Sequence, residues 1–108
     1  MKETEKEVIE IDLQGEMNYF LIKDLESCIA LYYAGKVVGL DEHWKLLESV
    51  LKKCKQKKPR YFSARECATI IGFLEQSFQL TKKSKFEILT IIFKKSLEEW
   101  EKNNPDIN

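Results

Sequence analysis

Few side chains in this sequence carry the nitrogen and sulfur ligands that zinc prefers. They are the single histidine, His43, and the three cysteines Cys28, Cys54 and Cys67. A zinc site needs about four ligands at one point. His43 and Cys54 fall on one predicted helix, and their spacing along it corresponds to roughly 16 Å, so they cannot share an ion. We therefore expect no metal and no other cofactor, and we interpret the cysteines as core residues.

Catalytic patterns are also missing from the sequence. It contains no glycine-rich phosphate loop, and its local spacing suggests neither a Ser-His-Asp nor a Cys-His pairing. The adjacent carboxylates Glu98 and Glu99 fall on the predicted solvent face of a helix, and exposed carboxylates are poor general acids. We expect a protein that is not an enzyme, and we infer no small-molecule substrate.

A basic segment, residues 52–60, is the strongest candidate for a binding site. It ends a predicted helix and leads into Tyr61 and Arg65. Its six cations are Lys52, Lys53, Lys55, Lys57, Lys58 and Arg60. A helix dipole favours two or three cations at the C-terminal end, but the surplus charges repel one another. These eight residues are therefore predicted to contact a partner, either an acidic protein surface or a nucleic acid on which Tyr61 would stack.

Charge is distributed unevenly although its sum is zero. Residues 1–51 hold 11 acidic and 5 basic side chains, a balance of −6, and residues 52–108 hold 7 acidic and 13 basic, a balance of +6. Three interpretations stay open: the two halves compensate within one molecule, they pair across a homodimer, or the basic half meets an acidic partner.

The stretch FSARECATIIGFLEQSF, residues 62–78, resembles the first part of a helix-turn-helix. The matching residues are Ser63, Glu66, Ala68, Ile71 and Gly72. The resemblance implies a nucleic-acid-binding regulator that uses the helix starting at Ser63. The chain departs from the pattern at Leu74, which stands where a helix-capping residue is expected. Because Leu74 continues an apolar helical face, we interpret Gly72 as a small packing residue inside one helix.

Apolar residues at helical spacing predict four helices, and their limits carry recognisable signals. The first helix ends at Gly35, and Asp41 is the predicted N-cap of the second. Ser63 and Glu66 form a capping box for the third. Ser84 and Glu87 have the form of a capping box for the fourth, with Thr81 as an alternative start. The predicted fold is an all-α, small antiparallel four-helix bundle.

The beginning of the chain is ambiguous. Residues 8–14 alternate like a strand, but Ile9 and Leu13 also continue the four-residue repeat of the first helix. We favour a helix, for which Thr4 and Glu7 would form a capping box, and keep a short extended arm as the alternative. A strand here would need a partner, and the stretch KVVG, residues 36–39, is the candidate.

Length and composition predict a single helical domain, residues 1–108, with residues 1–7 and 103–108 as frayed tails. We expect no secretory signal, and no apolar run is long enough to cross a membrane. Its odd number of cysteines is typical of reduced thiols, so we expect a cytoplasmic protein.

Large apolar residues off the main helical stripes predict an interface. They are Phe73, Ile88 and Ile91. Because a small bundle has one core, apolar residues on a second face favour a helical partner or a second copy of the chain. The predicted function is that of a binding protein, a regulator or inhibitor acting through protein–protein contact. The nucleic-acid-binding regulator is the alternative.

Overall fold

Four α-helices make up most of the computed structural model, which describes residues 6–105. They are α1 (Gly15–Tyr33), α2 (Asp41–Cys54), α3 (Ala64–Thr81) and α4 (Ser84–Asn103). Two short strands, β1 (Ile9–Glu10) and β2 (Tyr61–Phe62), complete the described secondary structure. The predicted all-α four-helix bundle is confirmed. Among the described residues, no helix is both long and apolar enough to cross a membrane.

The helices pack in chain order, α1 on α2, α2 on α3 and α3 on α4, and β1 lies against α4. Two residues connect α3 to α4, a length that places consecutive helices side by side and antiparallel. The predicted apolar faces supply the core, which includes Leu21, Leu25, Leu47, Ile70, Leu74, Leu89 and Phe93. Burying each such side chain contributes about 1.5–3 kcal/mol, so this shared core sets the relative positions of the helices.

The helix-start signals succeed for one helix and fail for two. Glu66 N donates to Ser63 Oγ at 3.0 Å and Ser63 N donates to the Glu66 carboxylate at 2.8 Å, which confirms the capping box of α3. The prediction for α4 is wrong, because Lys83 occupies the N-cap and no side chain caps the helix. Asp41 is the first residue of α2 and Leu40 its N-cap, so that prediction is one residue late.

The ends of α1 and α3 follow from backbone conformation and a local hydrogen bond. Gly35 has a φ of +73°, a left-handed conformation that glycine adopts without strain, and it follows α1 as predicted. Thr81 ends α3 rather than starting α4, and its hydroxyl accepts from Lys83 N at 3.3 Å.

The favoured helix over residues 8–14 is wrong. Ile9 pairs with Phe62 and Glu10 with Tyr61 in an antiparallel ladder, and Ile11 N donates to Arg60 O at 3.1 Å. The extended alternative is therefore correct, but its partner is β2 and not residues 36–39. Alternate residues explain the outcome: Ile9, Ile11 and Leu13 are all buried, which is the two-residue period of a strand.

The predicted tails, residues 1–7 and 103–108, are described only in part. Residues 1–5 and 106–108 lie outside the described residues, and with them Thr4 of the proposed capping box. Glu7 makes an ion pair with Lys53, and Asn103 is the last residue of α4.

Helix α3 runs without interruption through Gly72. The turn of a helix-turn-helix is therefore absent from residues 62–78, and Leu74 is fully buried as its apolar character predicts. The interpretation of Gly72 as a residue within one helix is confirmed. Close packing does not explain the glycine, because a Cβ there would have no neighbour within 4 Å.

Candidate functional site

Lys53 of the basic segment lies in the interior of the protein. It is 7% exposed, and its ammonium group forms ion pairs with the Glu66 carboxylate and with Glu7 Oε1, the latter at 3.1 Å. The ammonium also lies 5.6 Å from the centre of the Phe62 ring. This helix position faces α3 and β2, so Lys53 is turned away from the surface that the other cations of the segment share.

Glu66 is the centre of a buried polar cluster. Its carboxylate accepts hydrogen bonds from the Lys53 ammonium, the Ser49 hydroxyl and Ser63 N. Burial raises the pKa of Glu66, but these three hydrogen bonds together with the Lys53 charge more than offset burial, so the pKa falls below its usual value. The cluster joins α2, the start of α3 and the N-terminal segment, so its role is structural.

Other cations of the basic segment pair with acidic residues from the first half of the chain. Lys55 contacts Glu26 at 2.8 Å, and Lys58 contacts Asp12 at 2.6 Å. Exposed pairs of this kind add little stability, but they neutralise the surface charge locally. For Lys55 and Lys58, the structure therefore has charge compensation within one molecule.

Five predicted contact residues remain at the surface beside these pairs. Arg65 pairs with Glu42 at 3.3 Å, and Arg60 Nε donates to Gln56 O at 2.8 Å. Within the described chain, Lys52 and Lys57 are exposed and form no ion pair. Tyr61 is partly exposed on β2, next to Arg60.

The predicted apolar interface is divided by the structure. Ile88 and Ile91 are exposed on α4. Phe73 is 9% exposed, so it does not share an exposed surface with them. Its side chain instead belongs to the wall of a separate depression.

That depression, the loop groove, lies between the α1–α2 loop, the end of α1 and the C-terminal half of α3. Its volume is about 410 Å³. Its aliphatic and aromatic lining residues are Leu31, Val37, Val38, Leu40, Trp44, Phe73 and Leu80. The described residues that line it include no Asp, Glu, Lys or Arg, in a chain that is 33% charged.

Three side chains of the loop groove are the most exposed large hydrophobic residues in the described chain. Val38 is 94% exposed, Leu80 78% and Leu40 77%. Single exposed apolar residues are common on protein surfaces, but a contiguous group around a concavity marks a contact site. The loop groove can therefore bury apolar surface of another molecule.

Trp44 forms the floor of the loop groove. It is 8% exposed, and its indole stacks on the Tyr32 ring with centroids 4.9 Å apart and an interplanar angle of 16°. Its Nε1 is buried and has no hydrogen-bond acceptor in the described structure. A buried donor without a partner costs about 1–3 kcal/mol.

Gly39 permits this position of the indole. A Cβ at residue 39 would stand 2.5 Å from Trp44 Nε1, and the three heavy atoms nearest to it all belong to that indole. Any larger residue would therefore displace the ring or the loop. The backbone of Gly39 therefore packs closely against the unpaired indole N–H.

Two tyrosines at the end of α1 attach it to α2 beside the groove. Tyr32 donates to Asp41 Oδ1 at 3.1 Å, and Tyr33 donates to Glu48 Oε2 at 2.5 Å. The hydrogen bond to Glu48 raises the pKa of Tyr33 to about 12. These contacts hold the two ends of the α1–α2 loop, and so they hold the groove's rim.

The thiols are poorly suited to nucleophilic chemistry. Burial raises the pKa of Cys28 to about 11 and those of Cys54 and Cys67 to about 12. At neutral pH these groups are protonated, and the thiol is much less reactive than the thiolate. In the part of the chain that the structure describes, no three His, Cys, Asp or Glu residues come together as a metal site.

Sequence reasoning missed the loop groove. Val37 and Val38 are predicted only as part of a candidate partner strand, residues 36–39. One signal was available: loops between helices are normally polar, whereas VVGL, residues 37–40, is an apolar run in a loop.

In comparisons with known proteins, the sequence matches no protein-family model, and neither a curated protein nor a solved structure shows significant similarity to it.

Proposed function

We propose that this protein is a small, non-enzymatic, cytoplasmic binding protein that acts as a regulator or inhibitor by contacting another protein at the loop groove. One observation carries the proposal. The three most exposed large hydrophobic residues of the described chain, Val38, Leu40 and Leu80, all line the same concavity. Covering such side chains yields about 25 cal/mol for each Å² of apolar surface removed from water.

The composition of the groove supports binding rather than catalysis. Its titratable residues within the described chain are His43 and Cys28, and burial keeps the Cys28 thiol protonated at neutral pH. A general acid–base mechanism usually needs a second group placed to exchange protons with the first. The lining supplies no carboxylate for that purpose, whereas it supplies many apolar contacts.

The internal ion pairs favour the groove over the basic segment as the surface that binds the partner. Lys53, Lys55 and Lys58 already have carboxylate partners inside the molecule. A polyanion would have to compete with these partners and would meet their carboxylates at the same surface. The apolar residues of the groove have no such internal partner.

The proposal is tested by affinity isolation from the protein's native lysate, with the wild-type chain and a Val38→Glu, Leu80→Glu variant as baits. A protein identified by mass spectrometry is then purified and tested for direct binding. We expect at least a tenfold loss of affinity in the variant, since two charges would be placed in the apolar contact.

Tyr19→Glu is the matched control, because Tyr19 is an exposed hydrophobic residue outside the groove. It should bind the same partner with unchanged affinity. Equal binding by the wild-type chain and the groove variant, with both folded by circular dichroism, would contradict the proposal.

A further inference from the structure

We propose that the outer face of α4 is the interface of a twofold-symmetric homodimer, in which the α4 helices of two copies pack antiparallel through Ile88 and Ile91. This inference goes beyond the proposed function, because it concerns a second surface and a different partner. It rests on two exposed isoleucines that are neighbours on one helix face, and on two opposite charges beside them whose spacing matches an antiparallel second copy.

The two isoleucines form one apolar patch on α4. Ile88 is 46% exposed and Ile91 is 58% exposed. They are three residues apart, so their side chains are neighbours on the helix surface. Every other exposed residue of α4 is polar or charged, which gives the patch a defined edge. A second copy that places its own patch here removes both pairs of isoleucines from water, and this burial favours association.

Antiparallel pairing makes the patch complementary to itself. In a twofold dimer, the same surface is used by both chains. With the axis midway between Ile88 and Ile91, Ile88 of one chain lies opposite Ile91 of the second copy, and the reverse contact follows by symmetry. The four side chains then form one small apolar cluster between the two helices.

The charges beside the patch match the same arrangement. Glu87 and Lys94 lie on the side of α4 next to α3, where both line a depression of about 480 Å³. The twofold axis brings this side of α4 against the same side in the second copy. Glu87 is then displaced from Lys94 of the second copy by only two residues, about 3 Å along the helix axis. A parallel pair would instead place glutamate against glutamate and lysine against lysine.

Glu87 has no competing ion pair within its own chain. It is exposed, and no other described residue forms a salt bridge with it. Lys94 contacts Glu75 at 2.7 Å, but its side chain is still 49% exposed. Because an ammonium group has three N–H donors, Lys94 can bind Glu75 of its own chain and Glu87 of the second copy together. Each dimer therefore contains two ion pairs between chains.

The small size of the patch points to a weak and reversible dimer. Two helices that meet through two isoleucines each bury less than the roughly 1,200 Å² at which standard interfaces begin, which is the range of transient complexes. The loop groove stays open in this dimer, because α4 contributes none of its lining residues. The dimer therefore presents two grooves, and a partner with two groove-binding segments gains affinity from engaging both.

The experiment measures self-association of the full chain by sedimentation equilibrium, from micromolar to millimolar concentration. The samples are the wild type, Glu87→Lys, Lys94→Glu and an equimolar mixture of these two variants. Either variant alone places like charges opposite each other at both positions of its homodimer. A dimer with one chain of each variant has opposite charges at both positions again. Glu101→Lys and Lys102→Glu are the matched controls, because they make the same charge changes at exposed positions nearer the end of α4.

We expect a monomer–dimer equilibrium for the wild type. Each variant alone should weaken it roughly 5- to 30-fold at low salt, because like charges across an interface repel. The mixture should regain the wild-type affinity, and the two controls should keep it. Added salt should reduce the loss in the variants, since exposed charges are screened. Ile91→Glu should abolish dimerisation, because it places two carboxylates in the apolar cluster.

Three outcomes would overturn the inference: a wild-type chain that is monomeric throughout the range, a dimer that survives Ile91→Glu, or a mixture that associates no better than its components. Circular dichroism checks that each variant is folded, and recovery in the mixture shows the same for both charge variants.

The groove variant Val38→Glu, Leu80→Glu should dimerise like the wild type, and its failure to do so would assign self-association to the groove instead of α4. Because dimerisation is measured without the partner, the two proposals fail separately. A dimer without any groove-dependent partner supports this inference and contradicts the proposed function. A groove-dependent partner that binds a strictly monomeric chain does the reverse.

Discussion

The basic segment and the loop groove differ in how many of their side chains have a partner within the protein. In the basic segment, Lys53, Lys55 and Lys58 look like free charges in the sequence, but each has a carboxylate partner in the structure. In the loop groove, Val38 and Leu80 look unremarkable in the sequence, but the fold leaves them uncovered. A concentration of charge is therefore a weaker sign of a binding surface here than apolar residues that remain in contact with water.

The largest effect on stability is expected from removing the buried ion pair of the basic segment, between Lys53 and Glu66. Lys53→Met would leave the Glu66 carboxylate buried without its ammonium, which should lower the free energy of unfolding by about 3–5 kcal/mol. Lys58→Met, at a surface pair, should change it by less than about 0.5 kcal/mol. Urea denaturation of both variants measures the difference. Similar losses in the two variants would show that the buried and exposed cations are equivalent.

A smaller loss of stability is expected at the groove. Gly39→Ala would force a Cβ within 2.5 Å of Trp44 Nε1, and such overpacking typically lowers the free energy of unfolding by about 1–3 kcal/mol. Gly72→Ala is the control, because its Cβ would meet open space, and it should stabilise α3 by roughly 0.5–1 kcal/mol. Thermal unfolding of both variants tests this, and a neutral Gly39→Ala would show that the loop shifts freely.

Lowering the pH should destabilise the protein through protonation of Glu66. Its folded-state pKa lies below the unfolded value of 4.5, so the folded state binds fewer protons between those two values. The stabilisation that ionised Glu66 contributes is therefore fully present above about pH 4.5, and it is lost as the pH falls through the folded-state pKa. In Glu66→Gln this decrease should be shallower, as measured by urea denaturation at a series of acidic pH values. An unchanged acid profile would assign the decrease to other carboxylates.

Nucleic-acid binding by the basic segment is the alternative function and stays a prediction. At physiological salt we expect no such binding. Lys52, Lys57 and Arg60 are the described cations of the segment without ion pairs, and three phosphate contacts give a modest salt dependence, with log K falling about 0.9 per contact on a duplex for each tenfold rise in salt. Fluorescence anisotropy with duplex and single-stranded DNA and with RNA tests this. Binding at physiological salt that is lost in Lys52→Glu, Lys57→Glu would restore the nucleic-acid-binding regulator.

The smallest effect on stability is expected on α4, where self-association also stays a prediction. Ile88→Glu, Ile91→Glu should change the free energy of unfolding by less than about 0.5 kcal/mol per site, because both side chains are exposed. If these residues form a homodimer, light scattering should show the mass of two chains for the wild type and of one chain for the variant. A wild-type chain that is monomeric at all concentrations would exclude this interface.

Much of the fold could be predicted from the sequence because the helical repeats are regular. The stripes containing Cys67, Ile70 and Leu74 on α3, and Phe86, Leu89 and Phe93 on α4, are buried as their spacing indicates. The capping box at Ser63 fixes the start of α3 because both of its hydrogen bonds are local in the chain. Local periodicity and local hydrogen bonds are the information that a single sequence carries most directly.

Contacts between distant residues could not be predicted in the same way. Ile9 satisfies both a strand period and a helix period, and only the pairing with Phe62 decides between them. Lys53 resembles its neighbours in sequence, but its helix position turns it towards Glu66. The loop groove depends on how the α1–α2 loop lies beside α3, and no local spacing reports that.

The pairing of β1 with β2 also has a consequence for the order of folding. The helices pack mainly against their neighbours in sequence, whereas this ladder joins residues 9–10 to residues 61–62 and closes a long loop. Closing a long loop costs conformational entropy before any contact is gained, so such contacts form slowly. During synthesis, residues 9 and 10 leave the ribosome before α1, α2 and their partner strand exist. We therefore expect the first described strand of the chain to be among the last elements to reach the native position.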